Sequence, residues 1–262
     1  MDRQSWERLG EEPEPSWYLD LIAARQKRET HLNVIRKWTA GMRVERVLKT
    51  DLFEEASGKD SLLESLFPSA ETVCGLDAAF SIAKSASQRY ETKIRALVCD
   101  VRNLSLQDRS VDVIVSTSTL DHFDCRADFL VALAELSHVL KPGGLLVITL
   151  DNPWNFLYYP LRWLSRSRVG PFALGYTESM NKLERDLNTM GLRPENRAWL
   201  LHNPRGVSTL LFLGLRKICS GRVADQLIHL LLRLCERLNN LPTRKVTACF
   251  VAVAARKPLE ES

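Results

Sequence analysis

RALVCDVRNLSLQDRSVDVIVSTSTLDHF, residues 95–123, and LSHVLKPGGLLVITLDNP, residues 136–153, decide the fold. Each delivers a short β-branched run into a polar turn, and a helical stretch lies between them. Ile94–Asp100, Val111–Ser118 and Leu145–Leu150 read as strands, while Arg126–Leu140 reads as a helix stopped by Lys141-Pro142-Gly143-Gly144. Working back toward the N-terminus, Val44–Thr50 and Glu71–Asp77 read as two more strands, with helices near Ser61–Phe67 and Ala79–Tyr90. Five strands alternating with helices predict a parallel sheet covered on both faces.

Outside that block, Leu19, Ile22, Ala23, Leu32, Ile35 and Trp38 predict an N-terminal helix within Trp17–Trp38. Downstream, the pattern predicts a helix over Thr177–Met190 closed by Gly191 and a strand over Arg193–His202. A long helical segment over Val207–Leu238 and a last strand over Val246–Arg256 follow. The expected organisation is a single domain: residues 1–40 an N-terminal helical extension, 41–153 the α/β core, and 154–262 a lid segment with the long helix and last two strands.

Composition excludes several classes. With 45% hydrophobic and 26% charged residues, neither a disordered nor a fibrous chain is indicated. The formal charge of +4 is mild and the basic residues do not form one tract, so nucleic acid is not the expected partner. The start of the chain has no apolar stretch behind a basic segment, and no apolar run approaches a membrane span, so a cytoplasmic protein is expected. The six cysteines show no C-x-x-C pair and no zinc spacing, and no metal is expected. The apolar stripe of the long segment, flanked by Arg216, Lys217 and Arg222, reads first as a helix docked on the sheet. It leaves cover over an apolar substrate, or peripheral contact with a membrane, as a second reading. Oligomeric state is not readable.

Ligands of open parallel sheets bind beyond the carboxyl ends of the strands, near the point where strand order reverses. Here those ends are acidic and polar: Thr50-Asp51, Asp77, Asp100, the Ser116–Thr119 run followed by Asp121-His122, and Asp151-Asn152. One such Asp is commonly a turn cap, but three in successive units point to a ligand. Asp77 stands where a carboxylate accepts ribose hydroxyls, Asp100 where one takes the exocyclic amine of adenine, and Val101 can supply a backbone donor. The loop after the first strand, Lys49 to Gly58, has no G-x-G-x-x-G, and Asp51, Glu54 and Glu55 would repel a diphosphate by about 4 kcal/mol per close pair. A nicotinamide dinucleotide is thereby disfavoured, whereas a cationic, phosphate-free ligand suits the loop.

VLKTDLFEEA, ETVCGLDAA and the two segments that open this section resemble successive motifs of class I S-adenosylmethionine-dependent methyltransferases, over Val44 to Pro153. The resemblance implies a doubly wound, mostly parallel seven-stranded sheet, Rossmann-like, with the last strand antiparallel. An N-terminal helix precedes the sheet and a C-terminal helical lid insertion covers it. The implied cofactor is S-adenosyl-L-methionine. The usual glycine-rich first loop is replaced by VLKTDLFEE, similar to a subset whose first motif reads K-T-D-L-F-x-E-A. Either carboxylates of that loop hold the amino-acid end of the cofactor, or cofactor binding has been lost and the chain is a non-catalytic binding or regulatory module. The cofactor set expected is Thr50, Asp51, Glu55, Asp77, Asp100, Val101 and Ser118.

Methyl transfer from a sulfonium is an in-line displacement on an activated carbon, so alignment and exclusion of water do most of the work. For an acceptor oxygen, His122 is the leading base because imidazole titrates near neutrality; Asp121 and Asp151 are second choices, and His202 is weaker. The aromatic run after the fifth strand, with Trp154, Phe156, Tyr158 and Tyr159, is the expected pocket for a bulky apolar or aromatic small molecule of polyketide, quinone or lipid type.

Overall fold

The computed structural model describes residues 7, 20–58, 60–90, 94–166 and 174–259. Helix α1 (Leu21–Thr39) begins where the Asp20 carboxylate accepts the Ile22 N–H at 2.9 Å. Its buried Ala24, His31, Leu32 and Ile35 recur on one face. Then come β1 (Arg46–Lys49), two short helices α2 (Phe53–Ser57) and α3 (Leu63–Leu66), β2 (Thr72–Asp77), α4 (Phe80–Tyr90), β3 (Arg95–Val98) and β4 (Val111–Thr117). A 3₁₀ turn at Leu120–His122 leads to α5 (Arg126–Val139) and β5 (Leu140–Asp151). The rest is α6 (Tyr158–Arg166), α7 (Met180–Thr189), β6 (Arg193–Leu200), α8 (Val207–Ile218), α9 (Gly221–Glu236), α10 (Arg244–Thr247) and β7 (Phe250–Arg256).

The strands form one seven-stranded sheet in the order β3-β2-β1-β4-β5-β7-β6. β1 to β5 pair in parallel, and β7 runs antiparallel to both β5 and β6. This is the expected Rossmann-like methyltransferase architecture. Strand order reverses between β1 and β4, so the ends of β1, β2, β3, β4 and β5 all face one edge there. Alternating residues feed two cores. Leu48, Leu76, Ile114 and Ile148 pack with Phe129 and Leu133 of α5 on one face, while Val47, Val113 and Val147 pack with Leu32, Ile35 and Ile82 of α1 and α4 on the other. Strands buried on both faces read as continuous apolar runs, which is why this part of the sheet is legible.

Two glycines mark close approaches. Pairing of β4 with β5 jumps from Val111↔Leu140 to Val113↔Leu145, so Lys141 to Gly144 bulges out of register. Gly143 takes φ +79°, and a Cβ on Gly144 would lie 2.8 Å from the Lys141 carbonyl. On β2, a Cβ at Gly75 would sit 2.2 Å from Leu52 Cδ2, so glycine there admits the fully buried Leu52 of the first loop.

Several boundaries differ from expectation. The single long helix breaks at Cys219-Ser220 into α8 and α9, because Ser220 takes extended backbone (ψ 152°) as the cap of a helix opening on Gly221. The last strand starts at Phe250 rather than Val246, the chain before it forming α10. The first helix starts at Leu21; residues 17–19 lie outside the described residues. Among the described residues, no helix is long and apolar enough to cross a membrane.

Candidate functional site

A cavity of about 1890 Å³ opens along the carboxyl edge of the sheet. Drug-sized ligand pockets span about 300–1,000 Å³, so this one has room for a cofactor and a second bulky ligand. At one end it is lined by Asp77, Ala78, Val98, Asp100 and Val101, and in the middle by Thr50, Asp51, Thr117, Ser118, Thr119 and His122. The rest of its wall comes from α1, α6, α8 and α9, where Leu157, Leu161, Leu164, Leu210, Phe212 and Leu213 stand with Lys27, Arg205, Arg216, Asp225 and His229.

The first loop is built around a lysine. Lys49, the last residue of β1, is fully buried, and its Nζ donates to the Asp51 carbonyl and to Asp51 Oδ1, Glu54 Oε2 and Glu55 Oε2 at 2.9, 3.1, 2.6 and 2.9 Å. Burial alone would lower its pKa, but the three carboxylates outweigh that and hold it well above the usual lysine range. Lys27 of α1 adds bonds to Glu54 and Asp60 at 2.9 and 3.0 Å. Among the described residues, Lys27 and Lys49 thus pair with Asp51, Glu54, Glu55 and Asp60, of which Asp51, Glu54 and Asp60 line the cavity. Burial pushes Asp51 up to about 7 despite Lys49, while Lys27 and Lys49 overcome burial and hold Glu54 far below the carboxylate range.

Glu55 corrects an expectation. Its side chain is 0% exposed and does not line the cavity. Oε2 is held by Lys49, and Oε1 accepts the Leu62 and Leu63 N–H groups at 3.1 and 3.2 Å. Glu55 ties the loop to α3 and is not within reach of a ligand. Thr50 and Asp51 do line the cavity, with Thr50 Oγ1 2.7 Å from Thr119 Oγ1 and Thr119 donating to Asp51 Oδ2 at 3.1 Å.

Asp77 ends β2 facing the cavity; Oδ2 accepts the Leu52 N–H at 3.1 Å and Oδ1 the Ala79 N–H at 2.8 Å. Burial raises its pKa against those two donors. Asp100 is clamped by Arg102 through 2.6–3.1 Å contacts, which hold its pKa down. Val101 is buried beside it on the cavity wall.

Past β4 the backbone turns at Ser118, a non-glycine residue with φ +53°. That turn aims Ser118 Oγ at both oxygens of Asp121, at 3.2 and 2.9 Å, and Asp121 Oδ2 also accepts the Asp151 N–H at 2.7 Å. Asp121 is 2% exposed and does not line the cavity, so it cannot meet a substrate as a base; burial and the adjacent Asp151 push it up to about 8. Asp151 lines the cavity but is paired with Arg205, whose guanidinium also lies 4.3 Å from the Phe250 ring centroid. Of the three expected bases, His122 and Asp151 line the cavity and Asp121 does not. His202 is buried away from it, with Nδ1 2.9 Å from Thr247 Oγ1.

The aromatic run is the second correction. Trp154, Phe156 and Tyr159 are 63%, 60% and 64% exposed and point outward, and buried Tyr158 donates to the Gly175 carbonyl at 3.3 Å. None lines the cavity. The same segment lines it with Leu157, Pro160, Leu161 and Leu164 instead, because α6 turns its aliphatic side inward. Arg205 and Lys27 went unread in the sequence, and Thr117 was read only as part of the polar run that ends the fourth strand. Thr117 is 4% exposed, and its Oγ1 has no hydrogen-bond partner on the cavity wall.

Residues 53–148 match the family described as a methyltransferase domain. "Probable tRNA methyltransferase 9B" of Homo sapiens is 40% identical over 53 residues, 20% of this chain and 12% of that protein. A "Probable S-adenosylmethionine-dependent methyltransferase" of Mycolicibacterium smegmatis is 26% identical over 154 residues, 58% of this chain. The chain thus spans about half the length of the mycobacterial relative (55%) and far less of the human one. Among solved structures, the N-methyltransferase NodS of Bradyrhizobium japonicum, in complex with S-adenosyl-L-homocysteine, superposes with a TM-score of 0.58 at 18% identity, over 97% of this chain and 98% of that one. The [4+2]-cyclase SpnF superposes with a TM-score of 0.57 at 13% identity, over 98% of this chain and 93% of that one. Likeness at these identities concerns the fold, which hosts more than one chemistry.

Proposed function

We propose that this chain is an S-adenosylmethionine-dependent methyltransferase whose acceptor is a bulky apolar or aromatic small molecule, methylated at oxygen. The observation that carries this reading is that one cavity is lined by the Asp77 and Asp100 carboxylates, by His122, and by the leucines of α6 and α8. The residues fit the cofactor: Asp77 retains acceptor capacity beyond its two N–H partners, Thr117 offers a buried unpartnered hydroxyl, and the carboxylates of Asp51, Glu54 and Asp60 on the cavity wall suit a cationic ligand. When bound, the cofactor supplies an activated methyl carbon.

Asp77 would hold the ribose hydroxyls, Asp100 and Val101 the adenine, and Thr50, Asp51 and Ser118 would border the amino-acid end. The leucines of α6 and α8 hold the acceptor and exclude water, which is where most of the acceleration of an in-line displacement originates. His122 Nε2 or Nδ1 takes the proton of the acceptor hydroxyl as its oxygen becomes nucleophilic. Asp121 and Asp151 position the strand ends and do not exchange protons with the acceptor.

A second reading, a non-catalytic module, draws support from the sequestered Glu55 and from the Arg102 clamp on Asp100. A labelled-methyl screen across phenolic and hydroxylated apolar compounds separates the two. Transfer to at least one such compound, reduced about 10²–10⁴-fold in His122→Ala with cofactor affinity retained, is expected. Failure of every acceptor, or full turnover in His122→Ala, would overturn the reading.

A further inference from the structure

We propose that the outer faces of α6 and α8 form a docking surface for an anionic bilayer, and that the apolar acceptor enters the cavity from that surface. Both helices are apolar on two sides. α8 lines the cavity with Val207, Leu210, Phe212 and Leu213, of which Val207 and Leu210 are also 55% and 73% exposed, and it turns Leu211 and Ile218 outward at 46% and 85% exposure. α6 lines the cavity with Leu161 and Leu164 and turns Tyr159 and Trp163 outward at 64% and 76%. The two helices are neighbours, since a Cβ on Gly206 would lie 3.3 Å from Leu161 Cδ2. The Phe156 N–H donates to the Val246 carbonyl at 3.2 Å, which brings Lys245 to the same rim. An exposed apolar surface of this extent, carrying tryptophan and tyrosine, marks an interaction site.

Charge identifies the occupant. Residues 205–247 hold eight Lys or Arg against only Asp225 and Glu236, a net +6, whereas the whole chain is only +4 and its remainder is therefore −2. Arg205 and Arg216 are committed to Asp151 and to Asp20 and Asp225, but Lys217 and Arg222, at the turn from α8 into α9, and Lys245 are exposed. Cations around outward aliphatic and aromatic residues are what a headgroup layer above acyl chains complements. A nucleic acid would satisfy the charge and leave Trp163, Leu211 and Ile218 in water. Leu164, Leu210 and Leu213 are at once cavity-lining and exposed, so they form an apolar rim between the bilayer side and the chamber. Entry of the acceptor by this rim rests on the proposed methyl transfer; docking does not.

The test is flotation of the full chain with vesicles of phosphatidylcholine alone and of phosphatidylcholine with phosphatidylglycerol. Binding is expected to the anionic vesicles and to weaken with salt. Trp163→Ser/Ile218→Ser should lose about tenfold or more, and Lys217→Gln/Arg222→Gln about 25-fold, at about fivefold per cation. None of these residues lines the cavity, so S-adenosylhomocysteine affinity should be unchanged in both variants. No flotation with anionic vesicles would overturn the proposal. So would tRNA binding that Trp163→Ser/Ile218→Ser leaves intact while vesicle binding is absent. Flotation without S-adenosylhomocysteine binding would leave docking standing and remove the methyl-transfer premise, and the reverse result would remove docking alone.

Discussion

Lys49→Met replaces the buried cation of the first loop with an apolar side chain of similar length. Lys49 is fully buried and is the one cation among the described residues that touches Glu55, while Glu54 retains Lys27. The variant strands Glu55 with only the Leu62 and Leu63 amides. Removing one partner of a buried ion pair costs about 3–5 kcal/mol. For 262 residues, an unfolding entropy of about 2.1 cal/mol/K per residue gives about 0.55 kcal/mol/K, so the melting temperature should fall by about 5–9 °C. The pH dependence carries a sign. In the wild type, Glu54 is held below its unfolded pKa, so its contribution is present above about 4.3 and is lost as pH falls further. Adding Glu55→Gln should recover part of the loss. Scanning calorimetry across pH decides it: a variant melting within about 1 °C of the wild type at neutral pH would refute the buried-lysine account of the loop.

Asp121 holds its proton up to about 8 when folded but releases it near 3.9 when unfolded, so its stabilisation is present below about 4 and is lost as pH rises toward 8, by at most about 1.4 kcal/mol per unit. Asp121→Asn cannot ionise, and its melting profile from pH 5 to pH 9 should be flatter than that of the wild type; parallel profiles would place the titration elsewhere. For the acceptor chamber, Leu161→Ser should lower kcat/KM by about tenfold through lost apolar contact, whereas the outward Trp154→Ala should leave it within about twofold. Wild-type kinetics in Leu161→Ser would move the chamber away from α6.

The strand-rich half of the fold was legible because β1, β4 and β5 are apolar on both faces and end in polar turns, a pattern that local sequence carries. The long helix misread fails on Ser220-Gly221, since a cap and a weak helix former interrupt a stripe whose apolar spacing continues across them. At the site, Asp77, Asp100 and Asp51 were readable as strand-end carboxylates. Glu55 was not distinguishable from Asp51, because only the fold shows that the Lys49 side chain turns into the loop, although a lysine closing an apolar strand ahead of three acids was a signal. The rings of Trp154 to Tyr159 were misassigned because aromatic density does not say which face of α6 meets the cavity. Arg205 lies 54 residues from Asp151 in sequence, and nothing local pairs them.

The central claim is that the glycine-poor, lysine-centred loop still frames a site for the methyl-donor cofactor, with Asp77 on the ribose. Calorimetric titration of S-adenosylhomocysteine into the wild type and Asp77→Ala tests it most directly. The account predicts saturable binding by the wild type, weakened in Asp77→Ala by about 1–3 kcal/mol, or roughly 5- to 150-fold, as two ribose hydroxyls lose their acceptor. No heat of binding to the wild type at millimolar ligand, or equal affinities in the two proteins, would contradict it.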